Sequence, residues 1–227
     1  MGSDQLNTST DTDTLTLTDD EAVAVAATLA EPWRAPLPTV DRSSRDDLAQ
    51  AALRGRRSLV VRDLAGSDGT LTGLAAEVHK RLGAGLRAFF LLADDEGNWV
   101  PGGVTLYLYG PDVETVELSH IVAAAGVHYF TIAPPPGQWA SLAALAQTVF
   151  ADGFPDDAGG GAGAAPADRR SPAAALLHVV RPDGVRFIRI ARGAVTTGRG
   201  PVPARFPTVP DAIGWLIAPP VFTRSET

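Results

Sequence analysis

The chain has 227 residues, 45% hydrophobic and 20% charged, with a formal net charge of −7 and no cysteine. That is enough material for a buried core. The negative charge argues against a nucleic-acid partner, which needs cationic surface to displace counterions, and without cysteine there is no disulfide or thiolate metal site. No apolar run is long enough to span a bilayer, and residues 1–20 show neither the basic nor the apolar part of a secretory signal, so the expected location is the cytoplasm.

Residues 1–17, rich in Thr, Asp and Ser, read as a disordered tail that buries nothing. Order is expected from Thr18, because Thr18 followed by Asp19, Asp20 and Glu21 has the spacing of a capping box. The helix it opens is alanine-rich and ends before Pro32. Ser44 with Asp46 and Asp47 opens a second helix, its acidic residues placed at the positive end of the dipole. Arg54, Arg56 and Arg57 cluster on that helix; with no glycine-rich cradle beside them they read as a solvated face rather than an anion site. A third helix over residues 70–82 places Leu71, Leu74, Val78 and Leu82 on one stripe.

From residue 86 the period changes to two. Residues 88–93 form an apolar strand closed by a polar loop at 94–98. In residues 104–109, Val104, Leu106 and Leu108 alternate with Thr105, Tyr107 and Tyr109, a strand with one aliphatic and one aromatic-hydroxyl face. Residues 117–125 suit helix or strand, and the run of alanines before Gly126 favours helix. Residues 127–132 repeat the alternating pattern and stop at Pro134, Pro135 and Pro136. A helix over 138–150 carries Leu142, Leu145, Ala146 and Val149.

Residues 151–172 are rich in Gly, Ala and Pro and read as a flexible linker. They lack the Gly-Lys-Ser/Thr ending of a phosphate loop. Beyond them, residues 176–180 and 185–190 flank Arg181, Pro182, Asp183 and Gly184 as a hairpin, and residues 215–218 suggest a last strand. The expected fold is therefore α+β, a central and mostly antiparallel sheet with helices packed on it, with two pseudo-symmetric halves as a further expectation. Helices and the first sheet half occupy 18–150, and the second half of the same domain occupies 173–227.

No catalytic constellation is visible. The Gly-x-Ser-x-Gly elbow and the Gly-x-Gly-x-x-Gly fingerprint are absent. His79, His120, His128 and His178 have no metal-ligand spacing, and His128 and His178 read as satisfied residues of apolar strands. The adjacent carboxylates Asp46 and Asp47, Asp94 and Asp95, and Asp156 and Asp157 lie in loops or at a helix start, where nothing raises a pKa. No cofactor is expected. Trp99, Tyr107 and Tyr109 are the candidate partner-binding residues, since such rings give large contact area at low entropic cost. The alternative is that they pack beneath the N-terminal helices.

The order of these segments resembles the EspG family, the cytosolic chaperones of type VII secretion in actinobacteria. The likeness lies in the opening helix through Leu29, the connector ending in Leu37 and Pro38, and Leu59, Val60, Val61, Arg62, Asp63 and Leu64 followed by Asp68, Gly69 and Leu71. It continues in Thr196, Thr197, Gly198, Arg199 and Gly200, and in Trp215 through Pro219. The resemblance implies an α/β fold of two related halves, no catalysis, and binding to the helical tip of a PE–PPE-like or other WXG-type secretion substrate. No individual contact residue carries over. Two other functions stay open: a small-molecule domain holding an anion with Arg54, Arg56, Arg57, Arg186 and Arg189, and a structural domain that self-associates through its sheet edges.

Overall fold

The computed structural model describes residues 13–29, 33, 35–83, 86–93, 105–112, 114–123, 125–152, 173–181, 184–197 and 204–218. Nine strands and five helices follow in chain order: β1 (Thr14–Thr18), α1 (Asp19–Ala26), α2 (Arg45–Val61), α3 (Gly73–Leu82), β2 (Leu86–Ala93), β3 (Thr105–Gly110), β4 (Leu118–Ala123), β5 (Val127–Ile132), α4 (Gln138–Asp152), β6 (Ala174–Arg181), β7 (Gly184–Ala191), β8 (Ala194–Thr197), β9 (Ala204–Phe206) and α5 (Val209–Ile217). The strands form one sheet in the order β1-β5-β4-β3-β2-β6-β7-β8-β9. Every neighbouring pair is antiparallel, so the fold is α+β. Because β6 pairs with β2, the segments on both sides of residues 153–172 belong to this one sheet.

Three elements differ from the sequence reading. Residues 14–17, assigned to a disordered tail, form β1: Leu15 and Leu17 alternate with threonines and are buried against the sheet. Threonine, polar in composition, is β-branched and suits a strand. Residues 118–123, read as helix, form β4, with Leu118, His120 and Val122 on the face opposite Ser119, Ile121 and Ala123. Residues 215–217, read as strand, close α5, whose buried Val209, Ala212, Ile213 and Leu216 follow helical spacing behind the Thr208 cap and Pro210 in the first turn. The loop at 94–98, most of the 151–172 segment, residues 182–183 and the turn at 198–201 lie outside the described residues.

The two faces of the sheet are covered at opposite ends. On one face α1 and α3 pack against the β1, β3, β4 and β5 end, and α2 packs on α1; the core there includes Leu17, Leu59, Val78, Leu82, Tyr107 and Phe130. On the other face α4 and α5 lie on β6 and β7, α5 reaching β8 and β9, around Phe90, Leu142, Leu177, Ile188, Ile190 and Leu216. Strand register runs a ladder of rings across the first face. Phe130 opposes His120, His120 opposes Tyr107, Tyr107 opposes Phe89, Phe89 opposes His178 and His178 opposes Phe187. His120 stacks on Phe130 at 4.1 Å between centroids and on Tyr107 at 5.1 Å. Phe89 meets Tyr107 edge-on at 4.9 Å. Cross-strand aromatic pairs contribute about 0.5–1.5 kcal/mol each beyond their buried area.

The helices of the first layer touch at Gly55. A Cβ built there would lie 1.9 Å from the Asp20 carbonyl oxygen, so only glycine allows α2 to approach α1 this closely. Gly55→Ala is expected to force the two helices apart and cost about 1–3 kcal/mol. The measurement is urea unfolding, read as a lower midpoint with an unchanged slope; an unchanged midpoint would refute the close packing.

Candidate functional site

The first turn of α1 buries two carboxylates. Thr18 caps it as the sequence predicts: Glu21 N donates to Thr18 Oγ1 at 3.3 Å, and Thr18 N donates to Glu21 Oε2 at 2.9 Å. Glu21 also accepts from Ser58 Oγ and from Arg62 Nη1, each at 2.7 Å, so the cap residue ties α1 to α2. Burial works to raise the Glu21 pKa, but the bonds from Ser58, Thr18 and Arg62 outweigh it and hold the carboxyl below its ordinary value.

Asp19, two residues earlier, faces the sheet. Its Oδ2 accepts from Thr39 N at 2.6 Å and Thr39 Oγ1 at 2.7 Å, which pins the connector after α1. Its Oδ1 lies 2.7 Å from His128 Nε2 on β5. His128 Nδ1 lies 2.9 Å from His120 Nε2 on β4, and His120 Nδ1 lies 3.5 Å from the Tyr109 hydroxyl on β3. Asp19, His120 and His128 are at most 1% exposed. Trp33 covers both rings, its centroid 5.6 Å from His120 and 6.0 Å from His128. Gly126, at φ +72°, is needed for the turn into β5, and a Cβ there would come 2.7 Å from Asp19 Oδ2.

With both rings uncharged, one proton arrangement satisfies the whole run. Tyr109 O–H donates to His120 Nδ1, His120 Nε2–H donates to His128 Nδ1, and His128 Nε2–H donates to Asp19. Burial would raise the Asp19 pKa; hydrogen bonds from His128 and Thr39 reverse that and leave it below the usual value. Burial, then the neighbouring His128, push the His120 pKa well below the ordinary imidazole value. Desolvation also raises the Tyr109 phenol far above its normal range. His120 therefore stays neutral in the folded protein at neutral pH. Both nitrogens of each ring are used within the run, and among the described residues no group of three His, Asp or Glu side chains is placed to hold a metal. The run joins a helix, a connector and three strands, and its far end is the buried Tyr109 hydroxyl.

The candidate partner residues Tyr107 and Tyr109 are 1% and 5% exposed, so as folded neither ring presents a face to solvent. They pack in the core shared with α1, α2 and α3. Trp99 lies outside the described residues. The arginines do not converge. Arg54 pairs with Asp20 at 2.7 Å, and Arg56 lies along Gly69. Arg186 stacks over Trp215 and donates to the Trp215 and Ala218 carbonyls at the end of α5. His128 is a satisfied strand residue, as expected from its sequence, but its partner Asp19, 109 positions away, could not be foreseen. His120 was hidden by the helical reading of 117–125. Read as a hairpin, that stretch would have placed His120 and His128 on one face.

No family model matches this chain, and no curated protein matches it in sequence.

The depressed pKa of His120 makes stability pH-dependent with a definite sign. Unfolded, the imidazole takes a proton below about pH 6.5, whereas the folded protein resists it, so stability is present above that pH and lost as pH falls. His120 alone is expected to remove about 1.4 kcal/mol between pH 7.5 and 5.5. Urea midpoints at the two pH values test this, with His120→Phe as reference. The wild type should lose more stability than the variant, and equal losses would show that His120 takes up its proton while folded.

Proposed function

We propose that this protein is a non-catalytic, cytoplasmic binding protein for a helical protein partner, a chaperone of the EspG type acting on a type VII secretion substrate. The observation that carries the reading is the apolar strip on β4 and β5. Register aligns Thr16, Tyr129, Ile121 and Leu106 in one row across the sheet, on the face where α4 and α5 pack further along. Tyr129 is 41% exposed, and Ile121, Val127 and Ala123 beside it are half-buried. A tyrosine ring exposed beside aliphatic side chains is the composition of an interface core.

Two features support binding over catalysis. The cluster of titratable groups is sealed beneath α1, and the arginines are dispersed. Self-association through the β1 edge is less favoured, because Arg62 Nη2 donates to the Thr16 carbonyl at 2.9 Å and the Thr18 amide is taken by Glu21. Both are edge groups that a second strand would need.

The test is calorimetry of the purified full chain against a purified WXG-type helical hairpin. Binding is expected, with Tyr129→Asp weakening it at least tenfold at unchanged thermal stability, while Leu53→Asp on the exposed side of α2 leaves it intact. A complex indifferent to Tyr129→Asp would move the interface elsewhere, and no complex with such hairpins would sink the reading.

A further inference from the structure

We infer that the hollow between the connector after α1 and strands β2 and β3 is a binding site for a small apolar carboxylate. The hollow has a volume of about 400 Å³, within the range of small-molecule sites. Pro36, Leu37, Val40 and Leu91 supply apolar walls, Tyr107 contributes from the sheet, and Arg42 stands at the rim. The Tyr107 hydroxyl is fully buried and has no hydrogen-bond partner among the described residues. Burying an unpaired hydroxyl is unfavourable, and each such group calls for an explanation. The side chain that carries it is one of those lining the hollow.

Arg42 provides the second donor. Its Nη2 donates to the Trp33 carbonyl at 2.7 Å and its Nη1 to the Ala35 carbonyl at 3.4 Å, which fixes the guanidinium while leaving further N–H groups. Burial, and after it Tyr109, push the Tyr107 phenol far above its ordinary range, and the Arg42 charge opposes them only in part. A fixed guanidinium and a phenolic O–H beside apolar walls suit an anionic oxygen pair carried on an apolar body. Asp41, the other charged residue of the rim, directs Oδ1 to Ser43 N and Oγ at 2.8 and 2.7 Å.

A second hollow of about 440 Å³ lies on the other side of the connector and shares Leu37 and Arg42 with the first. Trp33 lines it, and the Trp33 indole N–H is buried without a partner among the described residues. Arg42 thus lines two apolar hollows, each also lined by a residue that carries a buried unpaired donor. The carboxylate site is independent of partner binding, because Tyr107 lies on the sheet face opposite Tyr129.

The experiment is ligand-observed NMR and calorimetry on the full chain with phenylacetate and hexanoate, with phenylacetamide and inorganic phosphate as controls. At least one carboxylate is expected to bind, phenylacetamide to bind at least tenfold more weakly, and phosphate not to bind. Tyr107→Phe removes only the unpaired hydroxyl, so its melting temperature is expected to be equal or higher, while carboxylate binding falls about tenfold. Arg42→Gln should abolish binding. Absence of binding by both carboxylates, equal binding of phenylacetamide, or unaltered binding by the stable Tyr107→Phe variant would each overturn the proposal.

Discussion

Two carboxylates in one helical turn hold the layers of this protein together. Asp19 and Glu21 are each 1% exposed, and a carboxylate taken out of water is costly unless donors replace its hydration. Each receives three. Asp19 is held by Thr39 N, Thr39 Oγ1 and His128 Nε2, and Glu21 by Thr18 N, Ser58 Oγ and Arg62 Nη1. Those donors come from the connector, a sheet strand, the residue that starts the helix, and the second helix. Removing one partner from a buried charge costs about 3–5 kcal/mol, so α1 cannot leave the sheet or α2 without exposing that cost. Arg62 extends the link to the Thr16 carbonyl and closes part of the β1 edge.

The sheet is arranged around the same constraint. The first face gains its helices from the N-terminal third and the second from the stretch after β5, so neither end of the sheet is covered twice by the described helices. The ring ladder from Phe130 to Phe187 crosses the middle, running from the end beneath α1 to the strands that carry α4 and α5 on their other side. His120 belongs to both systems. It stacks in the ladder through its ring and closes the polar run through its nitrogens, which is why burial keeps it neutral. What this packing leaves open is the Tyr129 strip on one face and the hollow lined by Tyr107 on the other.

The parts of this architecture that were legible before folding are those governed by neighbours in the chain. Thr18 and Glu21 sit three apart, and the capping box they form is as expected. Ser44 caps α2, the alternation in residues 105–109 and 127–132 gives β3 and β5, and residues 174–181 and 184–191 form the β6 and β7 pair. The misreadings came where composition outweighed period. Threonine content masked the alternation of Leu15 and Leu17, and alanines near Gly126 lent residues 118–123 a helical look. The apolar run at 215–218 has the look of a strand, but Thr208 and Pro210 ahead of it start a helix. Aromatic character suggested an exposed surface at Tyr107 and Tyr109, whereas burial decided otherwise and left Tyr129 and Trp215 as exposed rings among the described residues.

By itself the sequence determined the fold class, the β6–β7 hairpin, the caps of α1 and α2, and the absence of familiar catalytic motifs, because each depends on spacings of a few residues. Only the tertiary structure decided that Asp19 meets His128 and His128 meets His120, that Glu21 meets Ser58 and Arg62, and that Tyr107 and Arg42 line one hollow. Those contacts join residues 8 to 109 positions apart across separate elements. No local period encodes them; they exist because strand register and helix docking place buried polar groups where each must find a partner or remain unpaired.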